Sequence, residues 1–372
     1  MASLPVFFTA AMAVQLRAEL GFGTVGIGAA VGVFFGTMAV SSLYLGRVAD
    51  RLGATVSLRT ASFGIAAAAF GIAALSRNWL SLTSGLVVAG LAAALAQPAA
   101  NRLLINRVRG ARLGTAFGLK QSAPPTASML AGLAVPAISL TVGWRWAYVL
   151  AGIGALMVAV AVGPRPPNAP RKIRRAERVK PEALPHRATL VVLAVSFGLA
   201  FAASSVVLAF YVDSAVETGT SERQAGLVFA AASLTAVVTR LVAGAACDRY
   251  TFEPLRLSAV LLGSGAIGTA LLAVGRPATV VLGAVVALGG TWGFPGVFWY
   301  ALVRAYPATP GRITGTMAPA ALGGVVGPIG FGAVATEVSY SVAWSLASAV
   351  ALLAAAAMLV GARRLARTGA VG

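Results

Sequence analysis

Gly46-Arg47-Val48-Ala49-Asp50-Arg51 and Gly244-Ala245-Ala246-Cys247-Asp248-Arg249 are two copies of one short loop pattern, 198 residues apart in a chain of 372. Only three aspartates occur in the chain, and Asp50 and Asp248 are two of them. The same offset relates Gly28 to Gly226 and Trp146 to Trp344, while an offset of 197 relates Pro98 to Pro295 and Gly118 to Gly315. Glycine matches alone carry little weight in so Gly-rich a chain, but aspartate and tryptophan are scarce. The sequence reads as a duplicated unit.

Composition tells what solvent that unit lives in. The residues are 58% hydrophobic and 10% charged, with a mean hydropathy of +0.86. A soluble domain carries about 25% charged residues. Apolar runs of roughly 20 residues recur, each long enough to cross about 30 Å of hydrocarbon as a helix. They are continuous and rich in Ala, Leu and Gly, without the two-residue alternation of a membrane β-barrel. The runs predict helices α1 to α12 over 1–16, 24–46, 54–76, 80–101, 115–140, 145–163, 188–212, 223–246, 256–275, 278–303, 313–336 and 341–362. The expected fold is an all-α polytopic membrane protein, its twelve transmembrane helices forming two pseudo-symmetric six-helix bundles. The bundles are residues 1–163 and 188–372, and a Pro-rich linker, 164–187, joins them. Duplication in a membrane chain points to a transporter built from two related bundles.

The net charge of +19 invites a nucleic-acid reading, which its distribution argues against. One set of loops, together with the linker and the C-terminal tail, holds 22 basic residues. The opposite set holds five: Arg17, Arg77, Arg145, Arg223 and Arg276. Such a bias marks the basic side as cytoplasmic, so both termini and the linker are expected there, in the inner membrane of a bacterium. No nucleic-acid partner is needed. The linker's eight basic residues are expected to lie near anionic lipid headgroups, each contributing about 1 kcal/mol. The α1 run is short for a span and begins at Met1 without a basic flank, so the expectation is an upstream start or a truncated first helix.

Cys247 is the only cysteine and His186, in the linker, the only histidine. No intramolecular disulfide, multi-cysteine metal site or Ser-His-Asp set can be assembled from them. The chain is not expected to be an enzyme, and no cofactor is implied.

The stretch Gly46 to Gly53, between α2 and α3, resembles the signature loop of the major facilitator superfamily. It departs from the family pattern at Ala54, Thr55 and Val56, where basic residues are usual. The resemblance implies alternating access, the bundles rocking about a central cavity lined by helices such as α5 and α8. The loops have their own physics as well. Gly46 and Gly244 would permit close helix approach. Asp50 and Asp248, beside Arg51 and Arg249, would cap a neighbouring helix N-terminus or pair with an arginine in one conformation only. These six residues are the candidate gating set.

Two cations lie inside predicted spans, Lys120 in α5 and Arg240 in α8. A cation at the bilayer centre costs about 2.5–3.5 kcal/mol even on the lenient insertion scale, which marks intramembrane charge as functional by default. The competing reading is that long stems carry both groups to the interface. Under the repeat, Lys120 matches Met317 and Arg240 matches Ser42. Each bundle thus brings one unmatched cation, as an asymmetric anion site would require. Gln97, Asn101 and Gln121 offer amide hydrogen bonds nearby, with interhelical bonding the plainer role. Trp292 and Trp299, seven apart in α10, would share a face and either wall a planar ligand or pack. The run Gly118-Leu119-Lys120-Gln121 also resembles α5 of the cyanate and nitroimidazole branch of the superfamily.

All ten acidic residues fall in loops, the linker or at span ends. A coupling proton would therefore have to use Lys120 or Asp213, at the outer end of α7. Three readings follow. The first is a secondary transporter of a small anionic or planar polar solute. The second is multidrug efflux, weakened because α5 lacks the Gly-Pro-x-x-Gly-Gly pattern of drug/proton antiporters. The third is a transporter-like sensor or assembly partner acting through the linker.

Overall fold

The computed structural model describes residues 1–107, 112–162, 187–306 and 316–367. The linker therefore lies outside the described residues, and so does the side chain of Asn101. Eleven helices among the described residues are long and apolar enough to cross a membrane, from Thr24–Ser42 to Tyr340–Arg367. A twelfth element precedes them. It is α1, two helical pieces, Leu4–Ala11 and Ala13–Leu20, that meet at Met12. The rest are α2 (Thr24–Leu52), α3 (Ala54–Leu75), α4 (Trp79–Arg107), α5 (Leu113–Val142), α6 (Trp144–Ala161), α7 (Arg187–Glu217), α8 (Glu222–Arg249), α9 (Pro254–Val274), α10 (Pro277–Ala305), α11 (Pro319–Glu337) and α12 (Tyr340–Arg367).

Prolines write the irregularities. In α5, Ser122 separates Leu113–Gln121 from Ala123–Ala134 just before Pro124 and Pro125, and Pro136 lies in a π turn, Val135–Ser139. In α10 the helix stops at Thr291 and restarts at Pro295. Each proline lacks the N–H that would continue the ladder. Its repeat counterpart Pro98 sits inside α4 with no such interruption. One expectation needs correction: the Gly46–Arg51 and Gly244–Arg249 stretches are helix, not loop. α2 continues to Leu52 and turns at Gly53, whose φ is 81°, and α8 continues to Arg249. Nothing in either stretch breaks a helix, and Arg51 and Arg249 favour the negative end of the dipole.

The first six helices pack chiefly as α2 with α4, α3 with α4 and α3 with α6. In the second six, α9 packs with α10 and α12, and α7 with α11 and α12. The two bundles meet along α2–α11 and α5–α8, with α1–α7 and α5–α10 adding to the seam. The duplicated glycines sit at this seam. A Cβ on Gly28 of α2 would lie 2.2 Å from the Pro328 carbonyl oxygen of α11, and one on Gly226 of α8 would lie 2.9 Å from the Gly132 oxygen of α5. Only glycine lets those backbones approach so closely. The other matched pair diverges: Trp344 is 1% exposed against Phe331, while Trp146 is 54% exposed. Large apolar side chains such as Leu75, Met157, Val160 and Val260 stand exposed on the outer surface, where lipid covers them.

Candidate solute site at the bundle seam

Lys120 and Arg240 belong to α5 and α8, which pack against each other along the seam. A Cβ on Gly118 would sit 2.5 Å from the carbonyl oxygen of Arg240, so the backbones touch two residues from Lys120. Lys120 does not reach for the interface. Its Nζ donates to Oε1 of Gln97 and of Gln121, both at 3.1 Å, so two predicted amides hold it within the first bundle.

Arg240 is 2% exposed. Its Nε donates to the main-chain oxygen of Trp292, and the guanidinium lies 5.5 Å from the indole centroid. Nη1 is buried and has no hydrogen-bond partner among the described residues. Among the described residues neither cation has a carboxylate partner. A buried charge left this way is costly unless something else pairs with it.

The two tryptophans part company. Trp292 falls in the gap of α10, with Phe7 of α1 edge-on at 6.1 Å. Trp299 lies beyond the gap, against Phe197 and Phe298 at 5.6 and 5.5 Å. The helical register that would align them is lost between Thr291 and Pro295.

At the C-terminal end of α8, Asp248 caps the opposite bundle. Oδ1 accepts from the Gly114 N–H at 2.7 Å; Oδ2 accepts from the Thr115 N–H at 2.7 Å and its hydroxyl at 2.6 Å. The two N–H groups are first-turn donors of α5 that no intrahelical carbonyl can satisfy, and the carboxylate also meets the positive end of the dipole. Gly244 adjoins this contact, since a Cβ there would lie 2.6 Å from the Gly114 oxygen. For Gly46, nothing among the described residues lies within 4 Å of a Cβ built on it, and residue 312, which the 198-residue offset matches to Gly114, lies outside the described residues. Asp50 is half-buried, and Arg51 and Arg249 are exposed.

Sequence reasoning missed an outer polar seam. Arg17 of α1 donates through Nη1 to both oxygens of Asp213 in α7, at 2.8 and 2.7 Å, and Tyr340 of α12 donates to the same carboxylate. Gln15 donates to Glu222 of α8 at 2.9 Å and accepts from Ser139 of α5. Arg17 and Asp213 line a cleft of about 410 Å³ with Phe22 and Glu217. The available signal was that Arg17 and Asp213 end two spans at the same membrane level.

The chain belongs to the Major Facilitator Superfamily, whose family model matches residues 1–321. It is a multi-pass membrane transporter and not an enzyme. No curated protein matches the sequence. Solved structures match throughout the chain. The human organic anion transporter MFSD10 (TETRAN) superposes with a TM-score of 0.69 at 15% identity, covering 96% of each chain. The nucleoside transporter NupG gives 0.74 at 16%, covering 97% of each. The proton:xylose symporter XylE gives 0.74 at 14%, covering 96% of this chain and 93% of its own. Solutes so different on one fold mean that the fold alone does not set the solute.

Proposed function

We propose that the protein is a secondary transporter of a small, planar, anionic solute, bound between Lys120 and Arg240 and moved by alternating access. The observation that carries this reading is the pair of cations at the α5–α8 crossing, with Arg240 Nη1 buried and unpaired. An anion reaching both groups would touch both bundles at once, which ties binding to their relative position. Gln97 and Gln121 orient the ammonium, and Asn101 belongs to the same stretch of α4. Trp292 covers one face of Arg240, which favours a flat solute, whereas Trp299 lies in a separate aromatic cluster. Residues 1–163 and 188–372 act as the moving bodies. The basic side, with both termini and segment 164–187, faces the cytoplasm and its anionic lipids. Gly46, Asp50 and Arg51, with Gly244, Asp248 and Arg249, form the gating set at that side.

The test is thermal stabilisation of the purified protein by nitrate, benzoate, nitroaromatics and cationic dyes, followed by uptake into proteoliposomes. Stabilisation by a planar anion that is lost in Lys120→Ala and Arg240→Ala supports the reading. Stabilisation by dyes alone, unchanged in both variants, would replace it with multidrug efflux.

A further inference from the structure

The gap in α10 and the buried arginine form one construction. Pro295 has no N–H for the carbonyl of Thr291, four residues earlier. The hydroxyl of Ser204 in α7 lies 2.6 Å from that carbonyl and as close to the Ala200 carbonyl of its own helix, so its one hydrogen is shared between the two. Trp292, inside the gap, reaches two other helices through its indole N–H and its carbonyl. Its Nε1–H donates to the Ser204 carbonyl at 2.8 Å, and its own carbonyl accepts from Arg240 Nε. The indole also lies under the guanidinium and against Phe7 of the opposite bundle. Gly290 and Gly293 leave no room for a side chain beside the gap: a Cβ on Gly290 would lie 2.4 Å from the Gly265 nitrogen of α9, and one on Gly293 2.2 Å from the Gly289 oxygen. Arg240 is thus fixed at Nε and covered on one face, while Nη1 stays unpaired.

We propose that Trp292 is a positioning residue for Arg240, and that the Pro295 interruption of α10 is what makes it one. A continuous α10 would draw the carbonyls of the gap into its own ladder and leave Nε without its anchor. The bend of α10 and the competence of the anion site then rise and fall together, so a solute held on Arg240 favours the bent helix. The second part rests on the anion reading above; the clamp itself does not.

The experiment separates the two. Pro295→Ala restores a backbone donor in α10 without touching charge, and Trp292→Phe keeps a ring but removes the Nε1–H to Ser204. Phenylglyoxal modification of Arg240, followed by mass spectrometry of its peptide, reads the clamp with no solute present. Benzoate binding is measured in parallel on the same proteins. The expected result is a wild-type Arg240 that resists modification and one that reacts about tenfold faster in both variants. Benzoate affinity should fall by about tenfold, or 1.4 kcal/mol, while Arg240→Ala abolishes binding. Unchanged modification rates in both variants overturn the clamp, whatever happens to benzoate. Faster modification with no benzoate binding by the wild type keeps the clamp and removes the anion reading.

Discussion

At the residue scale, charge placement decides most of what can be tested. Asp248 satisfies three donors at the start of α5, across the bundle boundary. Removing a helix cap costs about 1 kcal/mol, so Asp248→Ala should lower the melting temperature and slow transport. Asp248→Asn, which keeps one acceptor oxygen, should fall between; thermal unfolding in detergent and proteoliposome uptake measure both. Arg17 and Asp213 make a different case. Asp213 is 4% exposed, and truncating Arg17 leaves its carboxylate with Tyr340 alone. Arg17→Leu should therefore destabilise the protein more than the double variant Arg17→Leu with Asp213→Leu, because removing both charges leaves none stranded. A double-mutant cycle in thermal unfolding checks the order. Glu19 gives a pH signature at the outer surface. Burial pushes its carboxyl up, but hydrogen bonds from Arg145 and Trp144 outweigh this and hold it below its ordinary value. Its contribution is present above the unfolded carboxylate range, near pH 4.3, and is lost as pH falls through the lowered folded value. Glu19→Gln should flatten the acid side of the stability profile below that range, read by unfolding between neutral and acid pH.

At the scale of elements, the seam helices depend on backbone proximity. Gly28 and Gly226 occupy equivalent places in the duplicated units, and each presses on a helix of the other bundle. A methyl group on Gly28 would meet the Pro328 oxygen at 2.2 Å, a contact that forces α2 and α11 apart. Gly28→Ala is expected to open the outer face, raising the labelling rate of a cysteine placed at Gly332, which adjoins Val25. The control is the same cysteine with Gly28 intact. Here the duplicated pattern was a sound guide, because two related units facing each other must share one method of contact. Gly244 packs against Gly114, and Gly46 has no such neighbour among the described residues.

At the scale of the molecule, alternating access requires α5 and α8 to separate somewhere along the seam. Ser128 and Ser233 join these helices at 2.9 Å between hydroxyls. With Cys247→Ser to remove the native thiol, Ser128→Cys with Ser233→Cys should form a disulfide that stops transport, and reductant should restore it. Uptake before and after reduction measures this, and undiminished uptake by the oxidised protein would mean that α5 and α8 move as one body.

The sequence by itself determined the membrane setting, the helical class, the twofold repeat and the pair of intramembrane cations. These follow from composition, period and scarcity, which are local properties of the chain. Only the tertiary structure decided what each cation touches. Lys120 turns to Gln97 and Gln121, while Arg240 turns to a carbonyl that Pro295 helps to release, 55 residues further along the chain. It also separated Trp292 from Trp299 and brought Arg17 to Asp213. The physical reason is that hydropathy fixes which segments cross the membrane, whereas helix rotation, interruption and crossing fix which side chains meet. Those depend on the packing of small residues between helices far apart in the chain, which no single stretch of sequence records.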